Sequence, residues 1–266
     1  MKNEMKQRII TAVIALAAFL PVIIFGGAPF IIVAYLLATV GLFELLRMRK
    51  LKLLSVPGIL SLLVLWVVLL PGSLENSFLP DKFYKTEIVF IAILIFLAYT
   101  VATKNKFTFD DVSFSLLSIV YVGMGFLYFM EIREISLQLL FYSLFVIWAT
   151  DSGAYFVGRA FGKRKLWPEI SPKKTVEGSL GGILSALVVA LLFYFFADLG
   201  LSLAKLLVVT VVLSVFGQVG DLAESAFKRH YGVKDSGRIL PGHGGILDRF
   251  DSLLFVWPLL YFLYIM

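Results

Sequence analysis

Four polar residues at the end of an apolar stretch have the spacing of one helix face. They stand at i, i+3, i+4 and i+7: Asp221, Glu224, Ser225 and Lys228. Positions three and four apart lie on the same side of an α-helix. The preceding residues are apolar from about residue 202, so Asp221 would lie near the edge of a membrane. Ionisable groups at such depth are costly and usually belong to a pathway or a site.

A glycine-rich segment follows, and it leads into the last apolar stretch. It reads Pro-Gly-His-Gly-Gly over residues 241–245, and glycines let a backbone approach a ligand closely and point amide groups at an anion. Asp248 and Asp251 come next, three residues apart, so both carboxylates can face one point. A simpler interpretation is that Asp248 only caps the last helix. Both interpretations stay open for either aspartate taken alone.

The combination of these residues narrows the chemistry. Several carboxylates and several Lys and Arg residues occur together, with too few partners nearby for simple ion pairing. The chain has no cysteine and only two histidines, His230 and His243, which argues against zinc and haem. Oxygen ligands favour magnesium or a similar ion, and neighbouring cations favour phosphate as a ligand. We therefore predict phosphoryl or nucleotidyl transfer.

A second polar cluster lies earlier and begins with Asp151, at the end of another apolar stretch. The segment 171–178 reads Ser-Pro-Lys-Lys-Thr-Val-Glu-Gly, a composition that suits phosphate binding at a helix N-terminus. The basic run 163–165 has a simpler interpretation, as an anchor to anionic lipid. Three glycines of this region are equally explained by close packing between helices: Gly178, Gly181 and Gly182.

The elements that must position these residues are apolar helices. The 266-residue chain is 60% hydrophobic and 16% charged, which is extreme for a soluble domain. A membrane-spanning helix needs roughly 20 mostly apolar residues, and nine segments come close. We predict an all-α polytopic integral membrane protein with about nine transmembrane helices. The predicted spans are about 9–25, 28–46, 53–71, 87–103, 112–130, 137–158, 178–197, 202–221 and 250–266.

The basic residues between these spans predict the orientation, because cytoplasmic loops are enriched in Lys and Arg. If the N-terminus is cytoplasmic and the C-terminus is outside, only four of the basic residues fall on the outer side: Lys82, Lys85, Arg133 and Lys205. The charged clusters then face the cytoplasm from the plasma or inner membrane. The net charge of +6 does not indicate nucleic acid, because no soluble basic domain is present to bind it.

The distribution of charge also divides the membrane domain into two parts. Residues 1–135 have short loops and few charges within the helices, so we expect about five scaffold spans there. Residues 136–266 carry charged residues, glycines and prolines at the cytoplasmic ends of about four spans. We expect this C-terminal part to be catalytic.

Residues 225–251 resemble the signature of the phosphatidate cytidylyltransferases, also called CDP-diacylglycerol synthases. The pattern is Ser-x-apolar-Lys-Arg, four residues, Lys-Asp-x-small, two residues, apolar-Pro-x-His-Gly-Gly-apolar-x-Asp-Arg-apolar-Asp, and this chain fills every fixed position. So many fixed positions make the match far more specific than a lone glycine motif. The resemblance also includes residues 220–225, residues 171–178 and Asp151-x-Gly153-Ala154-Tyr155. It covers roughly the C-terminal half.

The resemblance implies a reaction in which CTP and phosphatidate give CDP-diacylglycerol and pyrophosphate, with magnesium as cofactor and a second cation as an open alternative. The residues it assigns to catalysis are Asp221, Asp248, Lys228, Arg229 and His243. Those assigned to substrate binding are Lys173, Lys174, Thr175, Glu177, Ser225, Lys234, Asp235, Gly244, Gly245 and Arg249. Those assigned to the metal are Asp221, Asp248, Asp251 and Asp151. His243 and its glycines would shape a nucleotide-binding loop, and a homodimer is a further expectation.

Two other functions are weighed against this one. A cytidylyltransferase for another lipid phosphate or for a polyprenyl alcohol would use the same charged groups. A transporter of anionic solutes would instead place such groups near the middle of the bilayer, often at broken helices. Here they gather at one face, which disfavours a transporter.

Overall fold

The structure is a computed structural model that describes residues 2–74, 84–239, 242 and 244–266, with backbone alone for residues 2–6, 8, 9 and 12. This part of the chain contains nine helices of 13 residues or more. They are α1 (Lys2–Phe25), α2 (Gly27–Met48), α3 (Val56–Val68), α4 (Lys85–Ala102), α5 (Phe109–Ile135), α6 (Leu137–Phe161), α7 (Val176–Phe196), α8 (Leu203–His230) and α9 (Leu247–Ile265).

Each apolar stretch predicted from the sequence falls on one of these helices. Six helices in the described residues are long and apolar enough to cross a membrane, namely α2, α4, α5, α6, α7 and α8. Two further apolar segments, Val13–Phe25 and Val56–Val68, are helical but shorter. The predicted class of a helical protein with several apolar spans is therefore confirmed, whereas the number of spans and their orientation remain predictions.

One hairpin interrupts the helical architecture between α6 and α7. Strand β1 (Lys165–Trp167) pairs antiparallel with β2 (Ser171–Thr175), and Lys165 lies opposite Thr175. This sheet was not predicted from the sequence. Pro168 and Pro172 disfavour a continuous helix here, and a two-stranded sheet has only edge strands, where proline is tolerated.

The chain forms two compact units. The first comprises Met1–Glu131 and Asp235–Leu247, and the second comprises Ile132–Lys234 and Asp248–Met266. In the first unit, rings of Phe30, Phe126 and Phe129 pack together in the core. An ion pair of 2.8 Å between Arg49 Nε and Asp111 Oδ1 links the end of α2 to the start of α5.

The second unit is held by buried polar bonds between helices. Tyr142 Oη and Thr210 Oγ1 are 2.7 Å apart, and Thr150 Oγ1 donates to Ser214 Oγ at 2.9 Å, so both pairs join α6 to α8. The indole N–H of Trp257 on α9 donates to Ser143 Oγ at 3.2 Å. Such bonds between apolar helices contribute modestly to stability, and they fix which faces meet.

Candidate active site

The charged site of the second unit begins with a close crossing of α8 and α9. A Cβ atom on Gly220 would lie 2.6 Å from the carbonyl oxygen of Asp251, which is too close for any other residue. Gly217, one turn earlier, faces the end of the Ile147 side chain of α6, to which a Cβ atom would be 2.5 Å away. Gly220 lets α8 and α9 approach closely, and the carboxylate of Asp221 follows directly.

Lys228 is shared by two buried carboxylates. Its Nζ atom lies 2.5 Å from Glu224 Oε2 and 2.6 Å from Asp248 Oδ1. The exposed side-chain fractions are 15% for Lys228, 1% for Glu224 and 6% for Asp248. Charges buried to this extent persist only when they are paired. The three side chains therefore form one ion-pair network that joins α8 to α9.

Lys174 brings the hairpin to the same site. Its Nζ atom lies 2.6 Å from Asp221 Oδ2, while Ser225 Oγ donates to Asp221 Oδ1 at 3.3 Å. The carboxylate therefore links strand β2 to α8. The predicted common face of α8 is present, because Asp221 contacts Ser225 and Glu224 contacts Lys228.

Asp151 and Asp251 complete the cluster. The charge of Asp151 on α6 interacts with those of Asp221, Lys174 and Arg249. The charge of Asp251 on α9 interacts with those of Asp221, Asp151 and Lys228. We call the eight side chains the charged cluster: Asp151, Lys174, Asp221, Glu224, Lys228, Asp248, Arg249 and Asp251. All of them belong to the second unit.

The expectation that these charges have too few partners for ion pairing is wrong for Lys174 and Lys228. The i, i+4 spacing on α8 and the close crossing with α9 bring Lys228 to its carboxylates, and the hairpin brings Lys174 to Asp221. Because these pairings are tertiary, proximity in the sequence did not indicate them.

Two residues assigned to substrate binding contact the local backbone, and their assignment stays a prediction. Thr175 Oγ1 caps α7 by accepting the N–H of Gly178 at 3.1 Å. The carboxylate of Glu177 accepts the N–H groups of Lys163 and Arg164 at 3.0 to 3.3 Å. Arg229, assigned to catalysis, donates from Nε to the Ile170 carbonyl at 3.4 Å, so it ties the hairpin turn to the end of α8.

The remaining predicted residues lie in different places. Lys173 and Lys234 are exposed cations of the second unit, and Arg249 of the charged cluster is exposed as well. Asp235, Gly244 and Gly245 belong to the first unit. His243, and with it the predicted role in a nucleotide-binding loop, lies outside the described residues.

The glycines that the sequence left open are explained by packing. A Cβ atom on Gly181 would lie 2.4 Å from Val157 Cβ, and one on Gly182 would lie 2.7 Å from the Thr150 carbonyl oxygen. One on Gly178 would lie 2.7 Å from the Ala154 carbonyl oxygen. These positions let α7 lie directly against α6, which carries Asp151.

One polar residue was missed by the sequence analysis. Glu44 on α2 is fully buried in the first unit, where it contacts the segment 236–247. It is the one acidic residue among the 22 of α2. A carboxylate inside an apolar helix is itself a signal of function, and that signal was available from the sequence.

The charged cluster has donors of the kind that magnesium prefers. Its carboxylates are hard oxygen ligands, and the buried Oε1 atom of Glu224 has no hydrogen-bond partner among the described groups. No group of three or more acidic or histidine side chains in the described residues is already arranged around a metal position. Lysine ammonium groups pair with three of the carboxylates instead. The carboxylate oxygens are thus suitable ligands for a magnesium ion, although lysines pair with three of these carboxylates in this structure.

Comparison with known proteins covers nearly the whole chain. A family model described as "Cytidylyltransferase family" matches residues 6–266. The chain is 59% identical to the phosphatidate cytidylyltransferase of Bacillus subtilis (strain 168) over 263 residues, which cover 98% of this chain and 97% of that protein. It is 53% identical to the protein of that name from Staphylococcus haemolyticus and 49% identical to the one from Staphylococcus aureus (strain COL). Both of these matches cover 96% of this chain and 97% of the relative.

Proposed function

The chain belongs to the cytidylyltransferase family, and on that premise we propose that it transfers CMP from CTP to phosphatidate. The products would be CDP-diacylglycerol and pyrophosphate. The observation that carries the proposal is the charged cluster, in which three helices and a hairpin contribute carboxylates and cations that pair with one another. The relatives' names support phosphatidate as the acceptor.

The cluster supplies what nucleotidyl transfer requires. A phosphate oxygen of phosphatidate attacks the α-phosphorus of CTP, and the bond from that phosphorus to the bridging oxygen breaks as pyrophosphate leaves. No protein nucleophile is needed, so the protein acts by positioning and by neutralising charge. Lys174 and Lys228 would exchange their carboxylate partners for phosphate oxygens when the substrates bind. Arg229, Lys173, Lys234 and Arg249 would contribute further positive charge.

The carboxylates released by that exchange would hold the metal. Asp221 and Asp248 are the principal candidates, with Asp151 and Asp251 beside them, and Glu224 adds the oxygen that lacks a partner. Magnesium bound there would neutralise phosphate oxygens as charge develops. A second cation is compatible with so many carboxylates.

We further propose that all nine helices cross the plasma or inner membrane, with the N-terminus in the cytoplasm and the C-terminus outside. This orientation puts the charged cluster at the cytoplasmic face, where CTP is dissolved and the phosphatidate headgroup meets water. The positive charge of the intervening loops supports it. The helix α9 would then start at that face with its charged first turn. A homodimer stays part of the proposal.

The direct test is incorporation of label from α-labelled CTP into lipid by the purified protein. We expect labelled lipid only when phosphatidate and magnesium are both present. Phosphatidate should be compared with a polyprenyl phosphate and a polyprenyl alcohol in the same micelles. Labelling of a polyprenyl acceptor in preference to phosphatidate would assign the chain to another acceptor, and no labelling of any lipid would refute the proposed chemistry.

Substitution of the two principal carboxylates gives a specific prediction. Asp221→Asn and Asp248→Asn should each reduce CDP-lipid formation by about a thousandfold, the range seen when a group that stabilises transition-state charge is lost. Asp198→Asn, which alters an exposed aspartate between α7 and α8, is the matched control and should keep full activity. Full activity in either cluster variant, with normal membrane insertion, would remove that residue from the metal site.

A further inference from the structure

The first unit contains a buried carboxylate that contacts two separate parts of the signature, at residue 236 and at residues 246 and 247. Glu44 is fully buried on α2. Its Oε2 atom accepts the hydroxyl of Ser236 at 2.8 Å and the N–H of Leu247 at 2.9 Å. Its Oε1 atom accepts the N–H of Ile246 at 2.9 Å. We use the name signature loop for the described residues 235–239 and 244–247 alone.

Two glycines of the signature loop make this contact sterically possible. A Cβ atom on Gly237 would lie 2.2 Å from Glu44 Oε1, and one on Gly245 would lie 2.3 Å from the same atom. Any side chain at either position would displace the carboxylate. From the sequence, Gly245 was expected to let a ligand approach. In the structure it also leaves room for the Glu44 carboxylate.

The arrangement is more specific than core packing requires. Removing a carboxylate from water is strongly unfavourable unless its oxygens are hydrogen-bonded. Here the donors include two N–H groups at the start of α9, which have no partner within the helix and which favour negative charge. A leucine would fill the same space without a charge to bury. A carboxylate has what leucine lacks, namely two acceptor atoms that can hold residue 236 and residues 246–247 at once.

We propose that Glu44 is a positioning residue that fixes residues 236 and 237 relative to residues 245–247 and so supports the binding of CTP. This inference rests on the proposed function, because it takes CTP as the substrate to whose binding Gly244 and Gly245 were assigned. It gives α2, in the part of the chain expected to be scaffold, a role in nucleotide binding. The role is indirect, since Glu44 would act through the loop and touch no reacting atom.

The test compares Glu44→Gln with Glu131→Gln in the full-length protein. Glutamine keeps the shape of Glu44 but replaces one acceptor oxygen by an NH2 group, so at least one donor of the loop loses its acceptor. Glu131 is a fair control because its Oε1 atom also accepts a backbone N–H, that of Gly72 at 2.9 Å, within the same unit. Three quantities are measured: the Kd for CTP without lipid, the KM for phosphatidate, and amide hydrogen exchange at Ile246 and Leu247.

For Glu44→Gln we expect the Kd for CTP to rise by about tenfold, as when one buried donor is left without an acceptor. Exchange at Ile246 and Leu247 should accelerate, while the KM for phosphatidate and exchange within α8 stay at wild-type values. Glu131→Gln should change none of these. An unchanged Kd for CTP, or an equal weakening of both substrates, would overturn the inference.

Failure of the proposed function gives a different pattern. If the wild-type protein binds CTP but forms no CDP-lipid, the proposed reaction is wrong while the Kd comparison still decides the role of Glu44. If the wild-type protein binds no CTP, both are wrong. A Ser236→Ala variant provides a second check, because it removes one donor without altering the carboxylate. It should weaken CTP binding less than Glu44→Gln does.

Discussion

At the scale of single residues, Lys228 supplies the positive charge that stabilises two buried carboxylates. Glu224 and Asp248 both contact its ammonium group, and neither has enough exposure to be solvated by water instead. In Lys228→Met the methionine fills similar space but leaves both negative charges without that cation. We expect the free energy of unfolding to fall by about 3–5 kcal/mol, the usual cost of removing one partner from a buried pair. Unfolding by SDS titration in mixed micelles measures this.

The matched control for that experiment is Lys234→Met, which removes an exposed cation beyond the end of the same helix. Exposed substitutions usually change stability by less than about 0.5 kcal/mol. If Lys228→Met had the same free energy of unfolding as this control, the ion pairs of Lys228 with Glu224 and Asp248 would not contribute to stability.

Residue types and spacing predicted part of the candidate site. Asp221 and Lys228 could be placed on one helix face because helical periodicity is a local property. Thr175 was assigned to substrate binding, which stays a prediction, and its cap on α7 follows the tendency of threonine beside a helix N-terminus to bond the nearest backbone donor. Glu44 was recognisable as a carboxylate inside an apolar helix, but its partners were not, because they are about 200 positions away along the chain. Only the tertiary fold brings them together.

At the scale of elements, the α6–α7 contact depends on glycine. A methyl group at position 181 would lie 2.4 Å from Val157 Cβ, so the two helices would have to separate. Gly181→Ala should therefore lower the free energy of unfolding by about 1–3 kcal/mol, the range for overpacking a tight contact. Gly72→Ala is the control, because its Cβ atom would meet Glu131 Oε1 at an ordinary 3.7 Å. Equal stability of the two variants in the SDS titration would contradict this role.

The helices were more predictable than the hairpin between them. Apolar stretches of spanning length become helices because a lipid environment offers the backbone no other partner. The hairpin has no such constraint. Its strands of three and five residues are too short to show alternation, and the side chain that fixes its base, Glu177, acts through backbone N–H groups of the preceding loop.

At the scale of the whole molecule, the sequence predicted the apolar helices but not the two compact units. The segment Asp235–Leu247 belongs to the same compact unit as Met1–Glu131, although the sequence analysis grouped it with the C-terminal catalytic part. The contacts of Glu44 explain why, because they join this segment to α2. Whether the two parts differ in role, as scaffold and catalytic part, stays a prediction.

The proposed orientation can be tested cleanly because the chain contains no cysteine. Glu169 in the hairpin and Asp198 after α7 are both exposed acidic residues. They flank a 21-residue helix that is about 31 Å long, enough to cross the hydrocarbon. Single variants Glu169→Cys and Asp198→Cys should therefore differ in intact cells. A membrane-impermeant maleimide should label the cysteine at 198 alone, and after permeabilisation it should label both. Labelling of 169 alone before permeabilisation would invert the orientation, and labelling of both would mean that α7 does not cross the membrane.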